Sequence, residues 1–433
     1  MRRPVLHTSI PGPEARDLIG GGPGAATAGG AVPAIAERAQ GCWIVDVDGN
    51  DLLDMSAGGG ACTTGHGHPS IVAAIREQAG RIWQRGGDAL RCSAETALAA
   101  RLARAGAVRG PEHGAMLCNS GPQALRTAVA LAHHRTGRPA LIAFTGPAPG
   151  RARRAAGLAG AQAAARSRFG SLVADLFPVP FPDPLRRRDE ALVAALEDVG
   201  GVLGKLAHPE EVAAIVIEPV QGEAGGVVAP AGLLVALRRL CDQHGILLVL
   251  DEVEMGPGRS GKMFAWQHAG AEPDILCLGE GLASGLPLGA VIACRESAPS
   301  ADGPELGGGG ASALCCAAGS ATLDLLEAGL VERAQRLGDA VQGQLREAVG
   351  GHPRVGEVRG RGLAIAIELV KSREGLDPDP ALRDQMLAAC LARGVLLARC
   401  GQSALGLSPA LTVEEDEAKV AIEILAEALG EVG

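Results

Sequence analysis

Two segments of the chain carry polar groups at positions where α/β proteins bind ligands. The run ILLVLDEV, residues 246–253, has the apolar composition of a buried strand that reaches Asp251 near its end, and such sheets bind ligands at the carboxyl ends of their strands. The run NSGPQA, residues 119–124, leads into a sequence of helical pattern, and the free N–H groups of a helix N-terminus attract phosphate. The two segments therefore indicate a carboxylate site and an anion site.

The elements that must position these segments alternate between helix and strand. Helical runs such as SIVAAIREQAGRIW and PQALRTAVALAHHR alternate with apolar runs such as ALIAF and AAIVIEPV, which predicts an α/β fold with a mostly parallel sheet and helices on both faces. The run CWIVDVDGNDLLDM, residues 42–55, predicts two short strands joined by a turn. We expect an N-terminal segment, residues 1–60, that joins a small lobe. A large α/β domain, residues 61–315, and a small C-terminal α+β domain, residues 316–433, should follow.

Composition narrows the class of protein. The net charge of −9 without a basic stripe argues against a nucleic-acid partner. We expect no membrane span, because no apolar run reaches the required length, and the N-terminus lacks the apolar core of a signal peptide. The 11 cysteines show no CxxC spacing, which favours reduced thiols in a cytoplasmic protein. The carboxylates lack a recognisable metal-ligand motif, and His66 and His68 of GHGHP are interpreted as part of a structural turn, so we predict no metal site.

The order of motifs along the chain resembles the class III aminotransferases, which use pyridoxal phosphate (PLP), and most of all the 4-aminobutyrate aminotransferases. The resemblance covers nearly the full chain and rests on GHGHP (65–69), TGRPALIAF (136–144), AAIVIEPVQGEAGG (213–226) and DEVEMGPGRSGK (251–262). It implies a PLP-dependent transferase fold of type I, with a large-domain sheet and a smaller α+β lobe. It also implies a dimer with sites at the subunit interface.

The resemblance implies a role for each matching residue. Asp251 corresponds to the aspartate that bonds the pyridine nitrogen of PLP and keeps it protonated, and Val253 to the residue that packs against the ring. The other cofactor positions are Ser120, Gly121 and Pro122 for the phosphate, Ala148 for ring stacking, Glu218 near the cofactor, and Gly308 for the phosphate of a partner subunit's site. The substrate positions are Arg151, the gating glutamate Glu223, and Gly406 in place of a carboxylate-binding arginine.

Several of these positions depart from the family pattern. Glu280 stands where the family has the lysine that forms a Schiff base with PLP, and a carboxylate cannot form that bond. Glu254 replaces a glutamine that reaches the cofactor, and Pro122 removes a hydroxyl and a backbone N–H from the phosphate site. The family side chains are also missing at Ala148, Gly308 and Gly406. From these losses we expect no PLP, or PLP that is held weakly and noncovalently.

Three functions fit this pattern. The first is a pseudoenzyme without transaminase activity that forms a homodimer, or a heterodimer with an active aminotransferase paralogue. In the second, Asp251, Glu254 and Glu280 act without a cofactor as an acid/base cluster on a cationic amine or aminosugar. Carboxylates about 4 Å apart repel by roughly 4 kcal/mol at an effective dielectric of about 20, which favours one protonated carboxyl beside an ionised one. The third is a PLP-binding aminotransferase that works by an atypical route.

Overall fold

The computed structural model describes residues 1–20, 34–84, 90–105, 108–146, 175–187, 190–294 and 310–432. In chain order its strands are β1 (Ala36–Gln40), β2 (Trp43–Asp46), β3 (Asp51–Asp54), β4 (His113–Cys118), β5 (Ala140–Thr145), β6 (Leu176–Pro180), β7 (Val212–Ile217), β8 (Val220–Gln221), β9 (Val227–Val228), β10 (Leu247–Glu252), β11 (Ile275–Leu278), β12 (Gly289–Cys294), β13 (Val355–Arg361), β14 (Ala364–Leu369), β15 (Val395–Leu396), β16 (Ala398–Cys400) and β17 (Ala404–Leu407). Its α-helices are α1 (Pro13–Gly20), α2 (Pro69–Ala79), α3 (Ser93–Arg104), α4 (Gly121–Thr136), α5 (Ala191–Lys205), α6 (Leu233–His244), α7 (Ala313–Leu325), α8 (Val331–Val349), α9 (Pro380–Leu391) and α10 (Glu415–Val432).

A mixed sheet of 7 strands forms the centre of the described fold, in the order β4-β12-β11-β10-β7-β5-β6. The neighbours from β11 to β6 pair in parallel. Within this sheet β12 runs antiparallel to both of its neighbours, β11 and β4. The predicted α/β fold with a mostly parallel sheet is confirmed.

The inner strands are continuous apolar runs because both of their faces are covered. Every residue of β7, β10, β11 and β12 is buried. Helix α4 packs against β12, β11 and β7, and α6 packs against β10. The charged residues within these strands are Asp251 and Glu252, which are buried together at the end of β10.

Besides the antiparallel pair β8-β9, two four-stranded sheets complete the described fold. One is antiparallel, in the order β13-β14-β17-β16. The other has the order β1-β2-β3-β15, and its strands β2 and β3 flank the turn that was predicted between residues 42 and 55. In that sheet β15 pairs in parallel with β3, so segments from the two ends of the chain share one sheet. The division into domains stays a prediction.

The helical stretch Ala313–Val349 corrects one expectation from the sequence. By length and composition it is apolar enough to cross a membrane, although no apolar run of that length was expected. Its most apolar window is 44% buried, and a core helix passes the same test. In the structure α7 packs against α2 and α3, and α8 packs against α10, so its apolar side chains contact other helices of the fold.

Candidate active site

Asp251 lies where the sequence predicts a carboxylate, at the carboxyl end of β10. It is 5% exposed, and its Oδ1 accepts a hydrogen bond of 3.0 Å from the backbone N–H of Val253. On the neighbouring strand β11 it is paired with Cys277. Burial and the Asp251 charge raise the pKa of the Cys277 thiol well above its ordinary value. Asp251 therefore lies beside an uncharged thiol at the edge of the central sheet.

Three separate segments meet at Val253. A methyl group built at Gly121, the first residue of α4, would lie 2.0 Å from Cγ1 of Val253. A methyl group built at Gly279 would lie 2.5 Å from the same atom. Both positions therefore require glycine. Because Gly279 precedes Glu280, this close approach brings the end of β10, the N-terminus of α4 and the Glu280 segment to one place.

The N-terminus of α4 is capped by its own side chains. The Ser120 hydroxyl accepts a hydrogen bond of 3.3 Å from the N–H of Gln123, and the Gln123 side-chain oxygen accepts one of 3.0 Å from the N–H of Asn119. The exposed Pro122 in the first turn has no N–H, and proline is well tolerated there. The predicted helix start is confirmed. The cap uses the N–H groups of Asn119 and Gln123, two donors at the helix end where a phosphate is expected to bind.

Glu280 is the first residue of the short 3-10 helix Glu280–Ala283, which begins directly after β11 and Gly279. Its side chain is half-buried, and its backbone carbonyl accepts a hydrogen bond of 3.1 Å from the N–H of Gly285. The lysines of the chain all lie among the described residues, and each is exposed: Lys205, Lys262, Lys371 and Lys419. At this sheet edge the position after Gly279 therefore carries a carboxylate.

Other predicted carboxylates lie close to this edge. Glu218 follows β7, and its Oε1 accepts a hydrogen bond of 3.2 Å from Nε2 of Gln221. Glu254 lies over the backbone of Gly222, since a methyl group built there would be 2.2 Å from its Oε2. The neighbouring Glu223 is half-buried, and its backbone carbonyl accepts a hydrogen bond from Gly401. These contacts connect the ends of β7, β8 and β10.

Gly406 lies elsewhere, within β17 of the smaller antiparallel sheet. A methyl group built there would be 2.5 Å from Sγ of Cys400, so the thiol of β16 occupies the space that a side chain would need. Three further predicted positions, Ala148, Arg151 and Gly308, lie outside the described residues. The roles assigned to all of these residues stay predictions.

Sequence reasoning missed two buried charges that position the site. Glu252 is 0% exposed, and its carboxylate accepts hydrogen bonds from the N–H groups of Ala265 (2.6 Å) and Trp266 (2.8 Å). Burial, opposed by these bonds, raises the pKa of Glu252 to about 7. Arg259 is 2% exposed and donates to the carbonyls of Gly60, Leu363 and Pro409. The sequence carries a signal for each of them, because Glu252 ends an apolar run and Arg259 lies in a glycine-rich one.

Comparisons with known proteins match nearly the whole chain. The family described as Aminotransferase class-III matches residues 25–429. The 4-aminobutyrate aminotransferase of Mycobacterium bovis is 34% identical over 99% of this chain and 98% of that protein. An (S)-enantioselective omega-transaminase from Thermomicrobium roseum has a TM-score of 0.85 at 29% identity, over 96% of this chain and 97% of that one. An amine transaminase from an uncultivated Pseudomonas species has a TM-score of 0.82 at 29% identity, over 94% and 98%.

These relatives correct the cofactor expectation. The Pseudomonas amine transaminase was solved in its PLP-bound form. The expectation of no PLP, or of weak and noncovalent PLP, conflicts with such relatives and is wrong. In this chain the buried Asp251 fits the ring nitrogen of PLP, and the N-terminus of α4 fits its phosphate. Glu280 does not fit a covalent link. With 405 matched positions, from residue 25 to 429, the chain belongs to the class III aminotransferase family and has its PLP-dependent transferase fold of type I.

Proposed function

We propose that this chain is a class III aminotransferase homologue that keeps a PLP site but does not perform lysine-dependent transamination. It acts as one subunit of a dimer, formed with a second copy or with an active paralogue. One observation carries this proposal. Glu280 begins the helix that adjoins the Val253 contact, whereas all four lysines are exposed on other elements.

The chemistry of the side chain supports this reading. The covalent link in this family needs an uncharged amine that attacks the cofactor's aldehyde, and a carboxylate has no amine to offer. When bound, PLP supplies an electron sink for amino-group chemistry. Asp251 would hold its ring nitrogen, and the first turn of α4 would hold its phosphate. Glu280 would add a negative charge on the side where the family carries its lysine.

Acceptor groups near this edge support an amine as the ligand. The carboxylates of Glu218 and Glu254 lie at strand β8, one against Gln221 and the other against Gly222. The Oε1 atom of Gln221, a residue that is 2% exposed, is buried without a protein hydrogen-bond donor. An ammonium group carries three donors and a positive charge, which suits a site rich in acceptors. We therefore include a cationic amine in the proposal.

Two surface features support the remaining parts of the proposal. The connection after α2 exposes Ile82 (42%) and Trp83 (65%), and the start of the next described segment exposes Leu90 (60%). Ile82 and Trp83 are consecutive and expose apolar surface together, and exposed apolar patches mark protein contacts. The carbonyl of Trp83 accepts from the N–H of Ala313, so this region is held to the start of α7. All 11 cysteines are unpaired, which favours the reducing cytoplasm.

Borohydride reduction in the presence of PLP tests the proposal. The wild type, Glu280→Lys and the control Glu272→Lys, which adds a lysine in an exposed loop, are reduced and mapped by peptide mass spectrometry. We expect a pyridoxyl group at residue 280 of Glu280→Lys, and no stoichiometric label on the wild-type lysines or at residue 272. We also expect no amino transfer from 4-aminobutyrate to a 2-oxo acid by the wild type. A stoichiometrically labelled wild-type lysine, or amino transfer by the wild type, contradicts the proposal.

A further inference from the structure

Two adjoining cavities form a groove beside the antiparallel sheet β13-β14-β17-β16. Their volumes are about 480 and 310 Å³, which lie within the range of small-molecule sites. Asp183, Val227 and Arg359 line both cavities, so the two share one wall. The larger cavity is called the first half of the groove below, and the smaller cavity the second half.

The wall of the first half is built from charges that neutralise one another. Glu368 is 4% exposed, and its two carboxylate oxygens accept hydrogen bonds from Arg186 (3.0 Å) and Arg359 (2.6 Å). The hydroxyl of Ser403 donates a third hydrogen bond to Glu368, of 2.8 Å. Asp183 accepts one of 2.9 Å from Arg186. A ligand therefore meets a fixed wall whose two guanidinium groups are already paired with two carboxylates.

The first half of the groove carries an excess of negative charge. Its remaining charged residues are Glu374 and Asp377, which are exposed on the loop after β14. Since the charges of the wall cancel, these two carboxylates leave the first half with a formal charge of −2. Carboxylates accept hydrogen bonds and donate none, so this half suits an ammonium group, which carries three donors and a positive charge.

The second half of the groove carries the opposite charge. It is lined by the exposed side chains of Arg346 and Arg361. Arg346 donates a hydrogen bond of 3.0 Å to the uncharged side chain of Gln342. The carboxylate that lines this half alone, Glu357, lies 3.5 Å from Nη1 of Arg359. Apart from the shared wall, two guanidinium groups and one carboxylate leave the second half with a formal charge of +1.

The groove adjoins the segment that carries Glu223. Ala224 and Gly401 line the first half, and the N–H of Gly401 donates a hydrogen bond of 2.8 Å to the Glu223 carbonyl. Nε of Arg359 donates one of 2.7 Å to the carbonyl of Gly225. A ligand in the groove would therefore contact the connection between β8 and β9, next to the candidate active site.

We propose that this groove is a binding site for a linear zwitterion, an amino compound with an ammonium group at one end and a carboxylate at the other. The ammonium group binds in the first half, beside Glu374 and Asp377. The carboxylate binds in the second half, beside Arg346 and Arg361. A compound with a single charge is complementary to one half only, whereas a zwitterion is complementary to both. This binding does not depend on PLP or on the function proposed above.

Calorimetric titration of the full-length protein compares 6-aminohexanoate with hexylamine and hexanoate. The two singly charged compounds keep the six-carbon chain, and each lacks one of the charged ends. We expect 6-aminohexanoate to bind about fivefold tighter than either of them, because it alone pairs with both halves of the groove. This comparison uses the wild type and is unaffected by any failure of a variant to fold.

Two double variants locate the site. Glu374→Gln with Asp377→Asn should weaken the binding of 6-aminohexanoate about fivefold without weakening that of hexanoate. Arg346→Gln with Arg361→Gln should weaken the binding of 6-aminohexanoate by a similar factor without weakening that of hexylamine. These opposite patterns are expected because each variant removes the charges of one half and leaves the other half intact.

The matched control is Glu197→Gln with Asp198→Asn, which removes two exposed carboxylates from α5 that do not line the groove. It should bind all three compounds as the wild type does. All substituted side chains are exposed, so urea unfolding should show wild-type midpoints. The proposal is overturned if 6-aminohexanoate binds the wild type no tighter than the singly charged compounds. It is also overturned if both groove variants bind 6-aminohexanoate as tightly as the control does.

Discussion

Gly121→Ala tests the contact that brings the candidate site together. A methyl group at residue 121 would lie 2.0 Å from Cγ1 of Val253, far inside the contact distance of about 3.5–4.0 Å between carbon atoms. Val253 is 3% exposed and is confined on another side by Gly279, so it has little room to move. Overpacking of this kind should lower the free energy of unfolding by about 1–3 kcal/mol.

The matched control is Gly200→Ala. This glycine is exposed within α5, and a methyl group there meets nothing within 4 Å. Alanine at a helix interior should raise the free energy of unfolding by roughly 0.5–1 kcal/mol. Urea unfolding followed by tryptophan fluorescence measures both variants, and a PLP titration followed by visible absorbance measures the effect on the site. We expect weaker cofactor binding in Gly121→Ala alone.

A double-mutant cycle identifies the cause of the loss. Val253→Ala removes the atom that clashes, so Gly121→Ala should be less destabilising in that background. The coupling should be about 0.5–3 kcal/mol, as for residues in direct contact. If Gly121→Ala is as stable as the wild type, or if the two losses simply add, the inferred contact between α4 and Val253 is refuted.

Three further predictions concern buried charges. Because the pKa of Glu252 is raised from 4.5 to about 7, the folded state binds its proton more tightly than the unfolded state does, and the free energy of unfolding should fall as the pH rises through this interval. Glu252→Gln should remove this pH dependence, which is measured as the midpoint of urea unfolding at each pH. The hydrogen bond to Asp54 raises the pKa of His66 from 6.5 to about 10, so the stability that this bond contributes should be complete below pH 6.5 and lost as the pH rises through about 10. The variant His66→Gln should show no such loss. Glu368 is 4% exposed and accepts a hydrogen bond of 2.6 Å from Arg359, so Glu368→Ala should cost about 3–5 kcal/mol by urea unfolding. A loss below about 1 kcal/mol would show that the buried pair of Glu368 and Arg359 is not essential to stability.

The strand that reaches Asp251 and the helix that begins after Ser120 could be predicted because each is encoded in contiguous residues. An apolar run bounded by charged residues indicates a buried strand, and a capping serine before helix-forming residues indicates a helix start. Both predictions are confirmed within a residue or two. The alternation of such elements was enough to predict the fold class.

The contacts between these elements could not be predicted in the same way. The meeting of Gly121, Val253 and Gly279 depends on how three distant segments approach, and no periodic pattern encodes that distance. Glu252 follows Asp251 directly, yet successive residues of a strand face opposite sides of the sheet. Its carboxylate therefore caps the backbone at Ala265 rather than joining the site. Local sequence indicates that a charge is present, and only the fold indicates which side it faces.

The cofactor expectation failed for a related reason. We had inferred the loss of PLP binding from individual side-chain replacements, such as Pro122 and Glu280. The buried Asp251 and the N-terminus of α4, which provide a carboxylate and a helix dipole, are properties of the scaffold and persist through those replacements. A site built largely from backbone and strand ends tolerates more side-chain change than a count of lost contacts implies.

The pairing of β15 with β3 has a consequence for synthesis of the chain. The two strands are separated by about 340 residues (395 − 54 = 341). At about 5–20 residues per second the ribosome needs roughly 17–70 s to deliver the second strand after the first. During that interval the outer edge of β3 beyond its bridge between Asp51 and Val5 has no partner strand and can pair with another nascent chain. Helix α10 follows β15 and places Glu417 against the indole N–H of Trp43, so a segment translated long after β2 contacts a residue of that strand.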